Sequence, residues 1–149
     1  MEQTMADRDT ICLLKECDSG IKMGIISINE ALNDVQTGEI TNILKDARKD
    51  HETLQAECVS LLNANHDSGK SPSLIAQNMS RMKTAMRMVT TSDTSRAAAS
   101  IMTDGCNMGI KSLHGYLNEY KSASAPAREL AQKVIRTEEN LLNKLKPYL

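Results

Sequence analysis

His51, in the phrase DHETL, and Glu138, in RTEENL, are the residues whose types and places come nearest to chemistry. An imidazole and a carboxylate on facing helix seams can share a proton, or hold a divalent cation if more carboxylates converge on them. Asp18 and Asp104 sit at nearby levels of their own helices, and Glu139 and Glu52 flank the seam. His51, Glu138, Asp18, Asp104 and Glu139 are therefore the candidate ligands of a single divalent metal, with iron, manganese or zinc as the ion. The same residues allow a plainer arrangement: a buried His–Glu hydrogen bond that sets helix register, with the aspartates solvated and no cofactor. A lone seam histidine more often does the second.

Other chemistries find little to stand on. Cys12, Cys17, Cys58 and Cys106 form no CxxC and have no histidine at finger-like spacing, so they read as reduced cytoplasmic thiols. Cys17 and Cys106 fall near glycine pairs and are expected as small apolar filler rather than as nucleophiles. Every glycine pair lies within a helical pattern, so no phosphate-cradling loop or nucleophile elbow is written here. Lysine and arginine total 18 against 19 acids, which removes the electrostatic footprint of a nucleic-acid binder. There is no Trp or Phe and only three Tyr, so the stacking platforms that bases and sugars favour are missing too.

What must position His51 and Glu138 is a set of long helices. Small or apolar residues recur at Leu13, Cys17, Gly20, Gly24, Ile28, Ala31 and Val35, which predicts a helix over about 7–36. Gly38 can take a positive φ and Thr37 can cap the next helix, over about 39–65. Its stripe runs through Ile40, Leu44, Ala47, His51, Leu54, Cys58 and Leu61. Ser71 and Pro72 open a crossover helix at about 73–90, rich in Met79, Met82, Met86 and Met88. Helices over about 93–121 and 125–146 follow, the last opened by Ser124 and Pro126. No sustained alternation predicts a strand, so the fold class is all-α, one domain over 1–149.

The chain also echoes itself. Met-Gly-Ile-x-Ser at Met23–Ser27 recurs at Met108–Ser112, placing Gly20 and Gly24 on Gly105 and Gly109 at an offset of 85. A second offset, 87, sets ILKDARKDHETL against LAQKVIRTEENL and brings His51 opposite Glu138. Two equivalent helical hairpins predict a pseudo-two-fold antiparallel four-helix bundle with the Met-bearing segment as its long crossover. Each interior glycine costs up to about 1 kcal/mol relative to Ala. Four in matching places predict that the first and third long helices cross with their backbones close.

The phrases LLKECDSGIKMGI, DHETL and TDGCNMGIKSLHGYLNEYK resemble the ferritin-like superfamily, in particular its small bacterial four-helix-bundle proteins with a domain of unknown function. The resemblance covers nearly the whole chain and implies a ferritin-like bundle with a helical crossover. Better-known ferritin-like relatives bind two irons through Glu and Glu-x-x-His ligands. Here Arg48 stands three residues before His51, and the fourth long helix has no histidine, so the complete di-iron set is absent.

The function expected is thus a non-catalytic structural or protein-interaction module in the cytoplasm, with a homodimer or another protein as partner. The alternative is a metal-binding or redox protein built around His51 and Glu138. The crossover stretch carries Lys70, Arg81, Lys83 and Arg87 with no acid between Asp67 and Asp93. Such a basic amphipathic helix can lie on an anionic membrane, but the commoner use, expected here, is to cover its own bundle. The longest apolar run, MGIISI, is far too short to cross a bilayer.

Overall fold

The computed structural model describes residues 4–35, 38–67 and 93–149. Among them the chain forms four α-helices and no strand: α1 (Met5–Asp34), α2 (Glu39–Ala64), α3 (Thr94–Glu119) and α4 (Ala125–Leu145), followed by a 3-10 turn at Lys146–Tyr148. The crossover helix expected over 73–90, with its Ser71–Pro72 start and its methionines, lies outside the described residues, as does Thr37.

The helix starts are written locally. Thr4 and Asp7 close a capping box on α1, Asp93 accepts from the Arg96 amide to cap α3, and Ser124 accepts from the Ala127 amide ahead of α4. At α2 the capping position is Gly38 itself, with φ of 94° and no side-chain cap. That positive φ suits glycine because a Cβ would be strained there.

Packing follows from which ends share a core. Leu13, Leu14, Cys17 and Ile21 of α1 pack with Leu54, Cys58 and Leu62 of α2, Leu113 and Leu117 of α3, and Ala127 to Ile135 of α4. At the other end, Ile28, Ala31 and Val35 meet Ile40, Leu44 and Ala47 of α2, Ala98 to Cys106 of α3, and Leu141 and Leu145 of α4. So α1 and α4 run one way, α2 and α3 the other. The lateral pairs are α1 with α2, α2 with α4, α4 with α3, and α3 with α1.

Between these two half-cores lies one polar layer. His51 sits between Ala47 and Leu54 on α2, and Glu138 sits between Ile135 and Leu141 on α4. On α1 the position between Ile21 and Ile28 is Gly24, and on α3 the position between Cys106 and Leu113 is Gly109. Apolar burial thus holds each half of the bundle, while a hydrogen-bonded pair occupies the middle, where a slip of one helix against another would leave it unpaired.

The glycines correct the expectation of close backbone contact between α1 and α3. A Cβ added at Gly20 or at Gly109 would meet nothing within 4 Å. α1 and α3 remain packed neighbours, and the glycines, Gly105 included, line a groove between them. Gly24 is confined, and by a side chain: its Cβ would fall 2.7 Å from His51 Cδ2 and 2.8 Å from Nε2. Gly20→Ala and Gly109→Ala are therefore expected to raise stability by about 0.5–1 kcal/mol each, the helix-propensity gain. Gly24→Ala is expected to cost about 1–3 kcal/mol, because the buried ring has to move. Urea titration of the three variants checks this; equal shifts at all three positions would remove the groove from the account.

Candidate functional site

His51 is 1 % exposed and Glu138 8 %. The ring is held from both sides. Its Nδ1 lies 2.7 Å from the Ala47 carbonyl oxygen, which can only accept, so Nδ1 carries a proton. Its Nε2 lies 2.6 Å from Glu138 Oε1. With Nδ1 protonated, the second contact is either imidazolium with carboxylate or imidazole with carboxylic acid; the short distance fits a charge-assisted bond. Burial alone pushes the His51 pKa down, but the hydrogen bond and charge of Glu138, with help from the Ala47 carbonyl and Asp50, outweigh it and leave it raised.

Cys106, buried beside the same groove, lies close enough to feel the Glu138 carboxylate. Burial, then the adjacent carboxylate, push that thiol far up, so it is no nucleophile at neutral pH. Sequence reasoning placed Cys106 only as filler, since nothing in the spacing told which way its thiol would turn.

The other two buried thiols belong to the half-core that α1 and α2 share. Burial and the nearby Cys58, Glu16 and Asp18 push Cys17 well above the ordinary thiol range. Cys58, whose Sγ donates to the Leu14 carbonyl at 3.3 Å, is pushed up to about 12, chiefly by burial. All four cysteines are free, and only Cys12 is not buried. A thiol reagent at neutral pH is expected to titrate about one equivalent rapidly, at Cys12, and the remaining three only after denaturant is added. Rapid reaction of a second thiol would show that a half-core opens.

The five proposed metal ligands do not converge. Asp18 is buried, but it belongs to the α1 and α2 half-core, where its Oδ2 takes the Lys22 ammonium at 2.8 Å. Asp104 and Glu139 are exposed. Among the described residues no group of three or more His, Cys, Asp and Glu side chains is placed to hold a metal ion. Both nitrogens of His51 are already committed, one to a carbonyl and one to Glu138, so this donor set does not fit a divalent cation. The seam register was legible in the sequence; the direction in which each flanking acid turns was not.

His51 and Glu138 form part of the floor of a groove of about 570 Å³ between α1 and α3. Its α1 wall runs from Glu16 through Ser19, Gly20, Met23 and Gly24 to Ser27, and its α3 wall runs from Ile101 to Tyr116. The lining is mostly apolar, with small residues where the backbones are exposed. Met108 stands 64 % exposed on its rim. At one end Tyr116 stacks on Tyr120 with ring centroids 6.2 Å apart. The arrangement can bind, since it is concave, apolar and about the volume of a ligand site. His51 and Glu138 are engaged with each other and the Cys106 thiol is protonated, so none of the three is placed to act as a nucleophile or base. Compared with protein-family models, curated proteins and solved structures, the chain matches none of them.

Proposed function

We propose that this chain is a ferritin-like bundle, made of two pseudo-two-fold-related hairpins joined by a crossover, and that it serves in the cytoplasm as a non-catalytic protein-interaction module. The fold reading draws on the helix directions. α2 ends beside one half-core and α3 begins beside the other, so the two run parallel rather than as a simple up-down pair. It draws also on the equivalence of the halves: His51 and Glu138, 87 residues apart, meet, and Gly24 and Gly109 occupy the same layer. Among the described residues no helix is long and apolar enough to cross a membrane.

The observation that carries the function is the groove itself. A helix pair in a small bundle ordinarily closes on itself, because exposed apolar surface is costly. Here α1 and α3 present Gly20, Gly24, Gly105 and Gly109 on facing walls, where Ala would favour the helix and, at Gly20 and Gly109, meet no clash. Among the described residues, small side chains on both walls leave room for a third helix to come close, as in helix-in-groove recognition. Metal or redox chemistry is the weaker reading, since His51 and Glu138 already satisfy each other.

An uncharged amphipathic peptide of about 18 residues, Leu on one face and Gln on the other, tests this. Methyl NMR of the full chain is expected to show shifts at Met23, Met102 and Met108, which line the groove. Gly109→Leu, which fills the groove without a clash at its Cβ, is expected to abolish them. Shifts confined to other methionines, or binding indifferent to Gly109→Leu, would sink the reading.

A further inference from the structure

We infer that the layer formed by His51 and Glu138 is a base-triggered switch: once the pair gives up its shared proton, the imidazole stays in place and the Glu138 side chain turns out of the layer toward the groove it lines. The ring has no second way to meet the carboxylate. Nδ1 keeps its proton for the Ala47 carbonyl oxygen at 2.7 Å, so a neutral ring presents a lone pair at Nε2, and that lone pair faces Glu138 Oε1 at 2.6 Å. The other tautomer would restore a bond to Glu138 but would set a bare Nδ1 against the Ala47 oxygen. Either way two acceptors confront each other inside the bundle, and a buried hydrogen bond goes unmade.

Geometry decides which partner moves. His51 is fully buried and wedged against α1, where even a methyl group at Gly24 would lie 2.7 Å from Cδ2. Glu138 keeps a little exposure, carries the more rotatable side chain and lines the groove, so a rotamer change takes its carboxylate out of the layer. The drive is the charge itself, since a buried carboxylate that has lost its imidazolium is costly to keep. Among the described residues the other titratable groups around the pair are Asp50 on α2, which acts on the ring, and Cys106 on α3, beside Glu138. Glu16 on α1 and Asp104 on α3 line the groove walls, and α1 meets the ring itself with the Gly24 backbone. Asp50 favours the charged ring, and a protonated Cys106 thiol supplies no positive charge to replace it. Against burial, which lowers it, the hydrogen bond and charge of Glu138 hold the ring's pKa above its ordinary value, so the transition falls on the alkaline side of a free histidine.

NMR of the full chain with isotope-labelled histidine and methionine, titrated from about pH 6 to about pH 10, tests this. His51 is expected to lose one proton, from Nε2, with Nδ1 still protonated at the alkaline end. The methyl signals of Met23 and Met102, which line the groove with Glu138, are expected to shift with the same midpoint. In Glu138→Gln the carboxamide can donate to the Nε2 lone pair, so the layer is expected to stay closed around a neutral ring and the alkaline methyl shifts to be lost. The parent titration decides the matter by itself if that variant does not fold. An alkaline form in which Nδ1 rather than Nε2 is bare means that the ring has moved, and it overturns the inference. So do methyl signals that stand still while His51 titrates, a pair that keeps its proton to the end of the range, and a Glu138→Gln chain that retains the methyl transition.

Discussion

His51→Ala is expected to lower the unfolding free energy by about 3 kcal/mol near pH 6, the range for breaking a buried pair from one side. The substitution removes the Nε2 partner of Glu138 at 2.6 Å and leaves a mostly buried carboxylate without it. The loss depends on pH in a definite direction. Burial opposes the charge on His51, but Glu138 more than compensates, so the folded pKa lies above the ordinary 6.5. A group raised in the folded state contributes fully below its unfolded pKa, and the contribution fades as pH rises through the folded value. Parent and variant should therefore differ most near pH 6 and draw together as pH rises through the folded value, apart from the packing lost with the ring. The double variant His51→Leu with Glu138→Leu is expected to recover most of the loss, because well-packed apolar side chains often replace a buried ion pair without cost. Urea denaturation across this pH range measures it, and a gap that stays constant from pH 6 to 9 would mean that the pair carries no charge.

Leu130→Ala should cost as much by a different route. Leu130 is fully buried in the half-core that α4 shares with the start of α1 and the end of α2. Among the described residues, its fellow buried side chains there are Leu, Ile, Val, Ala and Cys, with no aromatic ring and no methionine. Branched and short side chains already in their rotamer wells refill a hole poorly, so the cavity term adds to the transfer term and about 3–4 kcal/mol is expected. For a chain of 149 residues this corresponds to a drop in Tm of roughly 10 °C. Leu142→Ala, at a half-buried position on the edge of the other cluster, is expected to lose about 1 kcal/mol, nearer the ordinary value for a single substitution. Calorimetry on both variants makes the comparison, and equal losses would contradict the separation of core from edge.

The helices were legible because their cause is local and periodic. The four long helices begin and end within about two residues of the expected bounds, since Gly38, Asp93 and Ser124 act on their immediate neighbours. The α2 stripe is the predicted one except at its end, where Leu62 is buried and Leu61 only partly so. On α1 the stripe instead rotates onto Leu14 and Ile21, because the glycines that seemed to mark the seam turn toward the groove. Internal repetition located the His51–Glu138 meeting, a contact 87 residues apart that no local pattern encodes. Whether two helices with matching glycines touch or part depends on what fills the bundle between them. Here the imidazole fills the space beside Gly24, while a Cβ at Gly20 or Gly109 would meet nothing within 4 Å. Asp18 turns to Lys22 on its own helix, a choice of partner that spacing alone leaves open.

The start of α1 does more than begin a helix. Asp9 Oδ2 accepts the Ser122 amide at 2.9 Å and Thr10 Oγ1 accepts the Ser124 amide at 2.8 Å, tying the first turns of the chain to the α3–α4 connection 113 and 114 residues away. Each hairpin can form from its own near neighbours, but these two bonds exist only when the halves have docked. Ser122 and Ser124 are exposed, so hydrogen exchange at their amides is a clock for docking alone: protection appears there last during refolding and disappears first when one half swings away from the other.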